Sequence, residues 1–342
     1  MHPSTGPDGP SPVLPDFAPA DPNAYYEPLI TKPLPPPHGR LWVQLLLLGL
    51  TLVTTTIAGS CHYYSFTFDL ATANASSSAA TPSIDSMLYQ PLFYLRGLWY
   101  SLTILAILGC HEMGHYIACV RYGVVATRPF FLPAPLPLTG TLGAFIKIKS
   151  RIPNKTALFD IGIAGPLAGF VVAVPALFIG LMLSRVDHLP ADQSGLIELG
   201  EPLLFKFAAW LVWGNVADGY SINMHPMAFA AWFGLLATAL NLFPVAQLDG
   251  GHISYAVLGT RSTIVTLVMV GVAIALAFTS SSWIAWTVLL VIMVVTLGPR
   301  HPPTLYDEEP LDQRRVMLAV VAMIILALCF TPAPIGPFLG AN

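Results

Sequence analysis

Apolar residues in this chain come in long blocks separated by short polar breaks. Seven blocks, at 41–58, 97–120, 157–183, 225–258, 263–278, 283–298 and 316–333, are long enough to cross a bilayer, or nearly so. A spanning helix needs about 20 apolar residues. The block 203–213 is too short to span, and its Trp210 and Trp213 mark it as interfacial or re-entrant. Residues 126–149 break the pattern. Pro129, Pro133, Pro135 and Pro137 forbid a helix there, Gly140 and Gly143 mark turns, and Ala144–Lys149 alternates as a strand does. Residues 1–39 contain twelve of the 32 prolines and no apolar run, which predicts a disordered, Pro-rich tail.

Composition agrees with a chain built for lipid. It is 55% hydrophobic and 10% charged, against about 25% charged in a soluble domain. The net charge of −3 offers nothing to a nucleic acid. Cys61, Cys110, Cys119 and Cys329 have no metal-binding or redox spacing. The cations are unevenly spread. With the N-terminus inside and seven spans, twelve Lys and Arg fall on the inner side, and Arg96, Arg185 and Lys206 on the outer. Positive residues stay inside, so the bias predicts a cytoplasmic N-terminus. The first apolar block follows a long tail and reads as a retained start-transfer helix. The expected location is a multi-pass position in a membrane, a bacterial inner membrane first and a eukaryotic membrane as the alternative.

One of these blocks carries the chemistry. His111-Glu112-Met113-Gly114-His115 is an H-E-x-x-H motif inside the second block. Histidines four apart share a helix face and can hold one Zn²⁺, while the intervening glutamate can act as general base on water. Ionisable groups in lipid cost free energy unless paired or liganded, which weighs against chance packing. His111 lies ten residues before Arg121, so it sits about 15 Å from the inner boundary.

A catalytic zinc site usually takes a third protein ligand. Asp160 lies at the mouth of the third block, and Asp249 lies deep in the fourth, twelve residues before Arg261. A helical path puts Asp249 about 18 Å from the same boundary, close to the depth of the histidines. The fourth block has 34 residues, far more than a bilayer needs, and Pro244 interrupts it. A helix broken at that depth must be buried in protein or face a wet cavity. The break precedes Asp249 by five residues and reads as an active-site wall.

These residues together resemble the site-2 protease family of intramembrane zinc metalloproteases. The carriers are His111–His115 and Asn241-Leu242-Phe243-Pro244-Val245-Ala246-Gln247-Leu248-Asp249-Gly250, which matches the family's N-x-x-P-x-x-x-L-D-G pattern. Gly162-Ile163-Ala164-Gly165-Pro166 is similar too, a stretch of small residues that allows close helix packing. The resemblance implies one Zn²⁺ per chain, with His111, His115 and Asp249 as ligands and Glu112 as base. It implies a membrane-dipping β-hairpin that receives substrate as an added strand, with Ile146 and Lys147 as substrate-binding residues. Asn241 either lies near the substrate backbone or satisfies the broken helix. His252, three residues after Asp249, reads either as an outer partner of the ligands or as a solvated histidine, and is left outside the site.

The fold class expected is an all-α polytopic membrane protein, with about seven transmembrane helices and a small membrane-associated β-hairpin. Its parts are a cytoplasmic tail at 1–39, a first helix and extracytoplasmic loop at 40–94, a three-span catalytic core at 95–260, and C-terminal helices at 261–342. The expected partners are a transmembrane protein substrate and the lipid bilayer. The expected function is hydrolysis of peptide bonds within the membrane. A non-catalytic adaptor should have lost one of the four key residues. A transporter should show repeat symmetry with paired broken helices. Neither feature is found.

Overall fold

A computed structural model describes residues 41–67, 91–189 and 197–337. The expected tail at 1–39 and most of the loop before residue 91 lie outside the described residues.

Among the described residues, four helical stretches are long and apolar enough to cross a membrane by length and composition. They are α1 (Leu41–Thr67), α2 (Pro91–Arg121), α3 (Lys155–Leu183) and the stretch Asp249–Thr279. That last stretch is divided at Gly259, whose φ of 60° no straight helix contains, into α6 (Asp249–Leu258) and α7 (Ser262–Thr279). The shorter helices are α4 (Leu203–Trp213), α5 (Pro226–Leu242), α8 (Ser282–Leu297) and α9 (Gln313–Cys329). The expected seven spans are therefore not confirmed. The 34-residue fourth block is two helices, α5 and α6, joined by a buried turn at Phe243–Leu248. Hydropathy is blind to this break because Phe243, Val245 and Ala246 in the turn are as apolar as the helices beside it. Ala246 takes φ 43°, and its amide is held by the Thr266 hydroxyl at 3.1 Å.

The core lies between α2, α3 and α5, around Trp232, Phe159, Leu177 and Leu235, all nearly or fully buried. The outward faces of the flanking helices remain apolar. Phe278 is 88% exposed and Val295 77%. A protein in water hides such side chains, whereas lipid accepts them.

The predicted hairpin forms. β1 (Phe130–Pro133) pairs antiparallel with β2 (Thr141–Phe145), with Phe130 opposite Phe145 and a bulge between Phe131 and Pro133. β2 is offset from the predicted strand Ala144–Lys149. Ile146 and Lys147 follow its end and run into a second short pairing, where Ala126 bridges Ile148 and the Lys147 amide meets the Thr127 hydroxyl at 2.9 Å. Pro129, which has no N–H to give, lies between the two pairings.

The hairpin lies along α1. Gln44 donates to the Arg128 carbonyl at 3.1 Å, and His62 meets the Leu138 carbonyl at 2.9 Å. Those two residues are eighteen positions apart on one helix, about 27 Å, so the hairpin reaches nearly across a bilayer's thickness. Gly140 makes this approach possible: its φ is 67°, and a Cβ there would meet Thr55 Cα at 2.6 Å. Two further ribbons were not anticipated. β3 (Arg185–His188) pairs with β5 (Tyr220–Asn223), and β4 (Ile197–Leu199) pairs with β6 (Ile335–Pro337).

Candidate metal centre

His111, Glu112 and His115 are buried on one face of α2. Asp249 opens α6, directly after the turn that ends α5. His111 Nε2 and His115 Nε2 lie 3.2 and 3.3 Å from one carboxylate oxygen of Asp249 and 3.1 Å from each other. Among the described residues, this is the one group of three or more metal-ligating side chains whose ligand atoms fall within 4.8 Å of one another. The sequence distance of 138 positions between His111 and Asp249 is closed by the break at Phe243–Leu248.

The histidine tautomer follows from a neighbour. His115 Nδ1 lies 2.7 Å from the Ile161 carbonyl oxygen on α3. A carbonyl only accepts, so Nδ1 carries a proton, and in the neutral ring the Nε2 lone pair then faces Asp249. The Asn241 amide nitrogen lies 3.3 Å from His111 Nε2. Two imidazole nitrogens and a carboxylate oxygen thus converge on one point. With both rings neutral, that arrangement is repulsive without a cation. The edges of a tetrahedral zinc site, from bonds of about 2.0–2.2 Å, are about 3.3–3.5 Å. The observed separations of 3.1–3.3 Å fit that donor set.

The third helix makes room for the cluster. A Cβ on Gly165 would lie 2.1 Å from His115 Nε2. The small-residue stretch on α3 therefore does more than let backbones approach: it leaves space for a ligand side chain. Glu112 interacts with the backbone N–H of Ile146, just past the end of β2, so the hairpin and the glutamate meet.

Among the substrate-binding expectations, Ile146 lies beside Glu112. Lys147 is exposed and lines a cavity next to it. Asn241 faces His111. His252 differs from its reading as a solvated side chain. It is half-buried, and its Nδ1 lies 2.6 Å from His301 Nε2. His301, 49 residues further on, carries no motif that marks it. Asp160 is gripped by Arg315 through two bonds of 2.7 Å and also accepts from the Tyr122 hydroxyl, tying α9 to the end of α2. The expectation of Asp160 at the mouth of α3 had no partner in view, because Arg315 is 155 residues away.

The profile of Peptidase family M50 matches residues 99–278, more than half of the chain. The chain belongs to peptidase family M50. The site-2 protease resemblance read from the two motifs is thereby borne out, and the matched segment holds all four of His111, Glu112, His115 and Asp249. The chain is similar to the rice (Oryza sativa subsp. japonica) protein named probable zinc metalloprotease EGY1, chloroplastic. The two are 29% identical over 317 residues, which cover 89% of this chain and 52% of that protein. It is also similar to probable zinc metalloprotease EGY2, chloroplastic, of Arabidopsis thaliana, at 29% over 242 residues, 70% of this chain and 42% of that one. The chain spans about half the length of the curated relatives it matches. The expected three-span core at 95–260 falls within a slightly different range from the family match, which runs on through most of α7.

Proposed function

We propose that this M50 member is a zinc endopeptidase that hydrolyses peptide bonds of membrane-spanning proteins inside the bilayer. The observation that carries the reading is the convergence of His111 Nε2, His115 Nε2 and an Asp249 oxygen beside a buried Glu112, on helices apolar enough for lipid. His111, His115 and Asp249 would hold the metal. A zinc ion held there supplies Lewis-acid polarisation of water and of the scissile carbonyl. Glu112 takes the proton from the attacking water and returns it to the leaving amide nitrogen. Ile146, through its backbone N–H, fixes the carboxylate for both transfers. Asn241 stands beside His111 and orients it or the substrate carbonyl.

A peptide bond inside a helix is shielded by its own hydrogen bonds. A transmembrane substrate must unwind to be cut, and its freed backbone then needs partners. β1 takes one edge of β2, and α1 packs against β1. The edge of β2 runs toward Glu112, and an unwound segment added there reaches the base with its backbone satisfied. The basic end of the bundle, with Arg121, Lys147, Lys149, Arg151 and Lys155, faces the compartment that holds the N-terminus, which is the cytoplasm in a bacterial inner membrane.

The test is Glu112→Gln. The variant keeps its zinc and its fold but loses cleavage of a transmembrane substrate by about 10²-fold or more. Near wild-type turnover in a zinc-loaded Glu112→Gln protein removes the general-base role and favours a non-catalytic adaptor.

A further inference from the structure

The chain between α8 and α9 is a strap that the proposed hydrolysis does not use. Residues 298–312 are irregular chain that lies against the start of α3 at the basic end of the bundle. The Leu305 and Tyr306 amides donate to the Ile152 and Pro153 carbonyls at 3.2 and 2.8 Å. Lys155 donates to the Asp307 carbonyl at 2.6 Å, and the Tyr255 hydroxyl donates to the Asp307 carboxylate at 2.9 Å. His301 stacks on Tyr255 with ring centroids 4.6 Å apart and meets His252. The strap is thus pinned to α3 and to the Asp249 helix.

Between strap and hairpin is a cavity of about 660 Å³. One wall is Phe145–Ile148 and the other His301–Thr304, with Gln247 and His252 at the back. Two of its lining segments lead to the metal centre. The Ile146 backbone interacts with Glu112, and Gln247 and His252 stand two and three residues from Asp249 in the chain. Lys147 and Arg151 line it, and among the described residues that line it there is no carboxylate. Burial pushes the His301 imidazole below its ordinary value, so the fixed charge of the cavity comes from Lys147 and Arg151.

We propose that this cavity is a substrate subsite, one that receives the extended peptide leaving the metal centre at the basic end and selects acidic side chains in it through Lys147 and Arg151. The proposal rests on the endopeptidase reading above. The cavity has room for a few residues of extended chain. Its position past the end of β2 continues the strand-addition edge, so a substrate paired with β2 runs straight into it. Charge complementarity in a partly closed cavity is worth more than at an open surface. It also distinguishes a substrate from bystander helices, whose ends on the positive-inside face are rich in Lys and Arg.

The experiment uses the full-length protein in neutral phosphatidylcholine vesicles. Two transmembrane peptides are supplied, identical except that the first residues beyond the membrane at the basic end are Glu-Glu in one and Lys-Lys in the other. The expected result is a kcat/KM about tenfold higher for the acidic peptide, seen mainly in KM, with the gap narrowed by Arg151→Gln. Arg151 is exposed and makes no contact with the metal centre, so zinc content and thermal stability of that variant stay at wild-type values. Equal cleavage of the two peptides, or a preference for the lysine form, overturns the subsite and leaves the endopeptidase reading standing. Cleavage of neither peptide by zinc-loaded protein overturns both.

Discussion

His115 Nδ1 lies 2.7 Å from the carbonyl oxygen of Ile161, and this contact decides which nitrogen of His115 faces Asp249. The carbonyl is available because α3 packs closely on α2 through its small residues. Ile161 follows Asp160, the residue gripped by Arg315. The last helix therefore bears on the backbone that sets a ligand's tautomer. Metal-ligating histidines are held by such outer partners as a rule.

Asp249 is the proposed third ligand, and its carboxylate closes the cluster from the second half of the fold. Asp249→Ala should leave His111 and His115 with a site of two nitrogens. Purified wild-type protein should carry about one zinc per chain, and the variant should lose most of it after dialysis against a weak chelator. Metal analysis by mass spectrometry decides the matter. Zinc retained at the wild-type level in Asp249→Ala would take Asp249 out of the site.

Gly165→Ala tests the site without touching any ligand. The new Cβ would lie 2.1 Å from His115 Nε2, so the imidazole has to turn away. Turning it breaks the bond to Ile161 and moves the lone pair off the cluster. Zinc affinity should fall by about 10–100-fold, the range seen when a ligand's outer partner is removed. A competition titration against a metal-binding dye gives the number. Unaltered affinity would mean that α3 shifts freely, and that the close approach is not what orients His115.

Much of this site was legible in the sequence because metal chemistry needs particular residue types at particular spacings. H-E-x-x-H puts two histidines and a glutamate on one helix turn, and a buried aspartate in lipid demands a partner. The small residues around Gly165 were legible as a packing feature, but their service to His115 was not, since spacing does not say which side chain an opposing glycine faces. The break at Phe243–Leu248 was legible from Pro244, and the boundary at Gly259 from the gap between two blocks, but the seven spans are not confirmed. Hydropathy reports how apolar a segment is and not whether it stays helical. His301 and Arg315 were invisible for a different reason. Each acts on a residue 49 or 155 positions away, and neither sits in a pattern that marks it.

Ile146 has two proposed backbone roles, which one substitution tests together. Its N–H serves Glu112, and its strand continues the edge proposed to receive substrate. Ile146→Pro removes the N–H and should abolish cleavage with zinc content preserved. Ile146→Val keeps the backbone and should stay within about twofold of wild type, since a loss of one methylene in a half-buried position costs little. Cleavage and zinc content measured together for both variants give the answer. Full activity in stable, zinc-loaded Ile146→Pro protein would sink both backbone roles at once. A loss in both variants would shift the weight from backbone to side chain.

Orientation in the membrane follows from the distribution of cations and has a direct test. Arg121, Lys147, Lys149, Arg151 and Lys155 gather at one end of the bundle, and Arg185 and Lys206 lie at the other. Positive residues are retained on the inner side, so position 147 should face inward and position 206 outward. Both side chains are exposed, which makes them good reporters after replacement by cysteine. Cys110 is exposed and Cys61 half-buried, so both are changed to alanine first. An impermeant maleimide added to intact cells should then modify position 206 and spare position 147 until the membrane is opened. The reverse pattern would place the basic end, the hairpin and the mouth of the cavity on the outer face. Substrates would then have to be sought among segments exposed there, while the metal centre, which lies between the two ends, would keep its chemistry.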